Sequence, residues 1–398
     1  MSEPLMSSLS LPNDYHIRVF DHMGDCPSAA WDTLLAHSER PTMFMRHAYL
    51  NALETSRSAC ADRGWQPHHV TLWQGEQMVA ACPLYIKSHS YGEYVFDWAW
   101  ARAYEQHGLS YYPKAVIAVP FTPVPGSRML ATETSHRFAL ARAIEALLVS
   151  QGVSSLHVLF GDDSDAQALQ QAQWMPRHQT QFHWTHQGWP DFDAFLQALS
   201  QDKRKKIRQE RARVQSQGVS FTTLEGAAIT SDWWDFFYRC YSQTYWEHGN
   251  PPYLQAEFFL SHAQARPNDW VMFVAWLDGQ PIASSLLGVD GEPGAQRVAY
   301  GRYWGALQRV DRLHFEACYY QPIEWCIQHR VQRFEGGAQG EHKMARALMP
   351  VSTTSWHWVA DPRFRRAIHD HVNREGEAVK AYEAGLAERS PFKQASGV

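Results

Sequence analysis

Residues 270–289, WVMFVAWLDGQPIASSLLGV, hold two apolar runs, 270–277 and 282–289, on either side of Asp278-Gly279. An Asp-Gly pair supplies the positive-φ residues of a tight turn, so the stretch reads as a β-hairpin. Downstream, the pattern gives a strand over 297–304, a helix over 313–330, and strands over 333–339 and 351–359. The helix places Phe315, Cys318, Tyr319 and Ile323 on one side. Upstream, 219–224 reads as a strand after Gly218. Thr230 is placed to cap a helix reaching about Tyr245, with Asp232 and Asp235 in its first turns, and 255–265 is a second helix.

The same order stands in the first half of the chain. A strand over 15–20 precedes helices over 27–38 and 46–57, and apolar runs 68–73 and 78–86 flank Gln74-Gly75-Glu76. A short strand, 115–119, ends at Pro120, followed by a helix over 133–150 and a strand over 155–160. A helix over 164–173 and a strand over 179–184 follow. Both halves therefore read β-α-α-β-β-β-α-β. GEQMVA (75–80) and GQPIA (279–283) echo each other at the corresponding hairpin. The expectation is an α/β protein with a mixed sheet, duplicated in tandem. Its domains are 1–187 and 188–398, the second opening on a basic helix, 202–217, and ending on a C-terminal helix.

The bulk numbers agree. A chain of 398 residues holds two to three domains at roughly 150 residues each. Apolar residues make up 45% and charged residues 19%, the composition of a folded protein rather than a disordered one. The 36 basic and 41 acidic residues leave a formal charge of −5, which excludes a global basic field for nucleic acid. The six cysteines form no CxxC pair and read as free thiols of a reducing compartment. Residues 1–16 show neither the basic nor the apolar part of a signal peptide, and the longest apolar run, 270–277, is far below the roughly 18 residues of a membrane span. A cytoplasmic protein without a membrane span is the expectation. Seventeen Trp and 21 His suit a recognition surface.

The element order is that of the GNAT acyltransferase fold, and several stretches sharpen the likeness. PLYIKSHSYGEYVF (83–96), VPFTP (119–123), GRYWG (301–305), HFEACYYQPI (314–323) and EGGAQGEHK (335–343) resemble a bacterial FemAB-like family of peptidoglycan biosynthesis/recognition proteins, over roughly 39–393. The resemblance implies two GNAT-like domains in a FemAB-type architecture. It further implies transfer of an acyl or aminoacyl group to an amine on a cell-wall-related, small-molecule or peptide acceptor, with aminoacyl-tRNA or acyl-CoA as donor.

In such a fold the site opens where the parallel strands 297–304 and 333–339 diverge. Their ends carry Arg302, Tyr303 and Trp304 on one side, and Gly336, Gly337 and Gln339 on the other. Acyl transfer to an amine needs a base, an acid for the leaving group and donors for the oxyanion. Glu341 or His342 is the candidate base, and Tyr303 or Tyr320 the candidate acid. Lys343 is placed to hold a phosphate or carboxylate, and His314 and Glu316 begin the intervening helix. The alternative is that 341–343 simply caps a short helix. Lys87, His89, Glu93, Tyr94, Tyr112 and Lys114 form a second, polar and aromatic, candidate substrate wall.

Neither half shows a glycine-rich pyrophosphate loop. Residues 304–311 read WGALQRVD, and residues 120–128, PFTPVPGSR, lose three N–H donors to proline. The one dense basic cluster lies on a helix, and Lys203, Arg204, Arg208 and Arg211 are candidate phosphate or tRNA contacts; a solvated helix face is the other reading. His183-x-x-His186 and His369-x-His371 suggest no third ligand, so no metal is expected. Two other functions stay open: an acetyl-CoA-dependent N-acetyltransferase, and a non-catalytic module that recognises tRNA or muropeptide. Oligomeric state is left open too.

Overall fold

The computed structural model describes residues 15–291, 296–338 and 340–393. The chain divides into two compact units, one made of Met1–Gln179 with Ser352–Lys380, the other of Thr180–Val351 with Ala381–Val398.

In the first unit, Tyr15–Phe20, His69–Gln74, Gln77–Cys82 and Leu130–Ala131 form an antiparallel four-stranded sheet in that order. Further strands run Trp65–Pro67, Leu84–Lys87, Lys114–Ile117 and Ser155–Gly161, the last two parallel. Residues 354–359 of the strand Met349–Val359 then add antiparallel to Ser155–Gly161. The helix Thr134–Ser150 covers the core through Leu140, Ile144, Leu147 and Leu148, which meet Val70, Leu72 and Leu156. Asp162 and Asp165 make a reciprocal capping box that starts the helix Asp163–Gln171.

The second unit is built on the strand order Ser220–Glu225, Trp270–Leu277, Gln280–Asp290, Val298–Ala306 and Arg333–Glu335, completed by residues 183–185 of the strand Met175–Thr185. The hairpin turn is as read: Asp278 and Gly279 have φ of 51° and 74°. The helix Ser231–Glu247 lies on the strand Val298–Ala306. The long helix is interrupted: Leu313–Phe315 passes through a π turn, Glu316–Tyr320, before Gln321–Gln328 continues it.

The final strand of each sequence half thus completes the other unit's sheet. Residues 183–185, at the end of the first half, pair with Arg333–Glu335, and residues 354–359, near the end of the second, pair with Ser155–Gly161. Alternating hydrophobicity identifies a strand but not its neighbour, which is why the expected boundary at 187/188 and the division into compact units fall in different places. Sequence reading also passed over the helices Trp98–Gln106 and Phe192–Ala198.

Candidate active site

In the second unit the parallel pairing runs Val298↔Arg333, Ala299↔Phe334 and Tyr300↔Glu335, and then stops. Two features end it. Gly337 takes φ +78°, which turns the chain away, and the buried Lys343 ammonium donates to the carbonyls of Gly337 and Ala338 at 2.9 and 3.2 Å, holding that turn. The partner strand continues to Ala306, still paired on its other edge with Gln280–Asp290. That pairing skips Arg302, because Tyr303 faces Leu286 and Gly301 faces Leu287, so Arg302 sits in a β-bulge.

A cavity of about 140 Å³ lies at this divergence. Arg302, Tyr303 and Trp304 line it from the bulged strand, His314, Cys318 and Tyr319 from the helix, and Ser285, Phe334 and Gly336 close its floor. The π turn shapes the helical wall. It interrupts the regular helical bonding, and the Ala317 carbonyl accepts from the Ser285 hydroxyl at 2.6 Å, which ties the helix to the sheet. The His314 ring meets Trp304 and Tyr319 edge-on, at 5.5 and 5.9 Å between centroids. The Tyr319 hydroxyl lies 3.4 Å from His342 Nε2.

The electrostatics favour uncharged imidazoles. Desolvation lowers the pKa of both His314 and His342, and the cationic Arg346 and Lys343 nearby lower them further. Burial pushes the Tyr319 phenol and the Cys318 thiol up, so both stay protonated near neutrality. The site therefore offers two neutral proton acceptors, the Tyr319 phenol, which keeps its proton, the Tyr303 hydroxyl and one guanidinium, Arg302.

Four of the expected residues, Arg302, Tyr303, Trp304 and His314, line this cavity, and His342 reaches it through Tyr319. Others are committed elsewhere. Glu341 pairs with Arg389 and accepts from the Tyr382 hydroxyl at 3.4 Å, on the exposed side of the short helix Glu341–Arg346. The Tyr320 hydroxyl donates to the buried Glu210, which Arg346 also engages at 2.9 Å, so Tyr320 belongs to an internal network rather than to the cavity wall. Glu316 accepts from Arg211 at 3.1 Å and from Gln321 at 2.8 Å. Lys343 spends its donors on the turn carbonyls rather than on a ligand, and burial lowers its pKa to about 8. Gln339 lies outside the described residues.

The basic helix, Gln201–Ser216, is less available than its charge suggests. Arg211 is bound to Glu316 and Glu324 and lies over the Phe192 ring at 4.6 Å, and Arg204 donates to the Leu199 carbonyl at 3.3 Å. Arg208 is exposed, with Asp193 at 3.9 Å, and Lys203 is half-buried.

The expected second wall is not an open loop surface. In the first unit Lys114 is fully buried and its ammonium contacts Ser90 and Glu93, each at 2.7 Å, and Asp97. Lys87 is equally buried, 3.5 Å above the Trp65 ring, and desolvation lowers its pKa to about 7. Desolvation raises Glu93 to about 7 despite Lys114. The Tyr112 hydroxyl bonds Ser90 at 2.8 Å, His89 Nδ1 accepts from the Tyr91 N–H at 3.2 Å, and Tyr94 packs on Val95 and Val116. The first unit's parallel pair, Lys114–Ile117 with Ser155–Gly161, also diverges, but its own chain fills the gap. Residues 118–131 are buried, and the Gly126 N–H bonds the Phe160 carbonyl at 3.0 Å.

Tyr319, Cys318 and Ser285 were missed as site residues. Tyr319 and Cys318 read as the core face of a regular helix, and Ser285 sits inside an apolar strand; only the π turn and the bulge bring them to one opening. Among the described residues no group of three or more His, Cys, Asp or Glu is placed to hold a metal ion, and no helix is long and apolar enough to cross a membrane.

Each unit thus carries a parallel strand pair that diverges, open to a cavity in the second and filled by its own chain in the first. The chain belongs to the FemAB-like family, described as peptidoglycan biosynthesis/recognition, whose profile matches residues 22–394. Its fold is shared with the solved structure of FemX, at 10% identity and a TM-score of 0.51, covering 86% of this chain and 98% of that one. L-PGS from Bacillus licheniformis aligns at 9% identity and a TM-score of 0.48, over 87% of this chain and 97% of its own. A tandem GNAT protein from the clavulanic acid biosynthesis pathway aligns at 13% and 0.44, over 87% and 99%. No curated protein matches the sequence.

Proposed function

We propose that this protein is an acyl- or aminoacyl-transferase that moves its group onto an amine of a cell-wall-related or peptide acceptor, with the divergence in the second unit as its active site. The observation that carries the reading is the cavity where the pairing of Val298–Tyr300 with Arg333–Glu335 ends, which Tyr303, His314 and Tyr319 line together. Arg302, on the same wall, brings a cationic group to the oxyanion of a tetrahedral intermediate. The incoming amine attacks the acyl carbonyl and loses a proton to neutral His314, or to His342 through the Tyr319 hydroxyl. Tyr303 gives its proton to the departing alcohol or thiol, and the imidazolium returns the amine's proton to the Tyr303 phenolate through solvent, restoring both groups. Products are the amide and the protonated leaving group, so the proton count closes.

An aminoacyl ester suits the site better than a pyrophosphate-bearing thioester. The loop before the helix carries Asp311 in ion pairs with Arg213 and Arg312, at 3.4 and 3.5 Å, and a pyrophosphate there would have to displace that carboxylate.

The test is transfer of a radiolabelled aminoacyl group from tRNA to a lysine-containing muropeptide, with acetyl-CoA as the competing donor. His314→Asn and Tyr303→Phe should each lower kcat on the order of 10²-fold or more with unchanged thermal unfolding, while Glu341→Gln stays within about twofold because Glu341 faces Arg389. Full activity in both cavity variants would remove this site. Activity with acetyl-CoA alone would move the assignment to the acetyltransferase reading, and tight tRNA or muropeptide binding without transfer would move it to the recognition module.

A further inference from the structure

Behind the cavity wall of the second unit lies a buried cation, Arg346, at the end of the short helix Glu341–Arg346. Burying a guanidinium is costly unless its charge and its N–H groups are met. Here three elements meet them. Nη1 donates to the His342 carbonyl at 2.9 Å, four residues back on its own helix. Nη2 bonds Glu210 of the basic helix at 2.9 Å, and Glu210 also accepts from the Tyr320 hydroxyl. Finally, the guanidinium carbon lies 3.7, 5.5 and 5.8 Å from the ring centroids of Phe315, Tyr319 and Tyr320, all within cation–π range.

The π turn gathers those rings. On a regular α-helix, residues 315 and 320 would point about 140° apart. The wider turn over Glu316–Tyr320 adds a residue to the circuit, so Phe315, Tyr319 and Tyr320 converge on one guanidinium. The same cation therefore grips both partners of the contact that leads into the cavity. It holds Tyr319 by its ring and His342 by its backbone, and the Tyr319 hydroxyl stands 3.4 Å from His342 Nε2. The two rings meet edge-on at 6.3 Å. Arg346 itself does not line the cavity.

We infer that Arg346 is a positioning residue for proton transfer, holding the Tyr319 hydroxyl and the His342 imidazole in register from behind the cavity wall. The inference rests on the acyl-transfer reading and commits it to one proton route, His342 through Tyr319. The charge of Arg346 acts on the same pair. Around His342 stand Arg346 and Lys343 on its own helix, His314 and Tyr319 on the facing one, and Glu341, which Arg389 engages. Burial lowers the His342 pKa first, and Arg346 and then Lys343 lower it further, which keeps the ring a proton acceptor.

Arg346→Gln, Arg346→Lys and Phe315→Leu test this in the full chain, by aminoacyl transfer and by NMR titration of the His342 imidazole, assigned with His342→Asn. Arg346→Gln should lower kcat by about tenfold or more, with KM within about twofold. It should also raise the His342 midpoint, and with it the acid limb of kcat/KM, by about half a pH unit or more. Arg346→Lys should keep the midpoint, because the charge stays. Its kcat should remain low, because one ammonium cannot span Glu210 and the His342 carbonyl as the planar fork does. Phe315→Leu, at a half-buried position, removes one ring from the guanidinium and should lower kcat about threefold with the midpoint unmoved. Thermal unfolding identifies a variant that does not fold, and Phe315→Leu with Arg346→Lys carries the test where Arg346→Gln is one. A folded Arg346→Gln with unchanged kcat and midpoint overturns the inference, and so does full recovery of kcat in Arg346→Lys, since charge alone would then suffice. Absence of transfer by the unaltered protein from either donor removes the acyl-transfer reading instead. The titration then decides whether Arg346 governs His342, and an unmoved midpoint in Arg346→Gln overturns that too.

Discussion

Two histidines show how local chemistry is decided by surroundings. His157 and His357 face each other across paired strands of the first unit, their Nδ1 atoms 2.7 Å apart. Each Nε2 bonds a serine two residues earlier, Ser155 at 2.9 Å and Ser355 at 2.8 Å. The Tyr111 hydroxyl is 3.2 Å from His157 Nε2 and donates to Asp97 at 2.6 Å. Desolvation holds both imidazoles neutral, and the positive charges of Lys114 and Arg177 push the same way, while Asp97 opposes them only at His157. Both pKa values lie below their unfolded values, so the folded state binds fewer protons than the unfolded one. Stability from this pair is complete above about pH 6.5 and falls as the pH drops below it, by about 1.4 kcal/mol per pH unit for each histidine that stays neutral. Glu93, raised to about 7, acts in the opposite direction between about pH 4.5 and 7. Asp165, also raised to about 7 by burial, acts with Glu93, so the histidine contribution is read from the difference between the protein and a histidine variant. Urea unfolding between pH 7 and 5 should show it, and His357→Asn should cut the slope by about one proton. An unchanged slope would mean the imidazoles are protonated in the folded state.

At the scale of elements, the glycines of GRYWG (301–305) separate architecture from chemistry. A Cβ on Gly305 would fall inside the Cys240 carbonyl, in the backbone of the helix Ser231–Glu247. The helix can lie that close to the strand only because residue 305 has no side chain. Neither backbone can move cheaply, so Gly305→Ala should destabilise the second unit by about 3 kcal/mol or more, measured by chemical unfolding, and should depress activity only through loss of folded protein. Gly301 is less demanding, since its Cβ would meet the edge of the Phe334 ring at 3.2 Å. The motif is thus legible in the sequence as special, but only the helix–strand contact tells which glycine carries the fold. EGGAQGEHK (335–343) divides in the same way. Gly337 turns the chain, the lysine pins that turn, the glutamate faces Arg389, Gly336 lines the cavity and the histidine reaches it through Tyr319.

On the scale of the molecule, each unit depends on chain from the other sequence half. Removing residues 352–380 takes Val359, Phe364, Ile368 and Val372 from the cluster around Trp100 and Tyr104, along with the strand beside Ser155–Gly161. Four buried apolar side chains at about 1.5–3 kcal/mol each come to roughly 6–12 kcal/mol, comparable with the whole stability of a domain, about 5–15 kcal/mol. A fragment 1–187 should therefore lack a cooperative thermal transition and expose an unpaired strand edge, and co-expression with 340–393 should restore both. A cooperatively folded fragment 1–187 would show that the exchanged strand is dispensable.

What the residues determine on their own is local. The Asp278-Gly279 turn, the strand and helix periodicities, the duplicated order and the divergence marked by Gly336-Gly337 all follow from backbone preference and side-chain spacing, which act over a few residues. What only the tertiary structure decides is partnership. The exchange of final strands, the bulge at Arg302, the π turn that brings Tyr319 to His342, and the capture of Glu341, Tyr320 and Arg211 by ion pairs or hydrogen bonds all join residues far apart in sequence. A charged side chain carries the same chemistry wherever it stands, and burial and the nearest opposite charge settle whether it is left for a substrate.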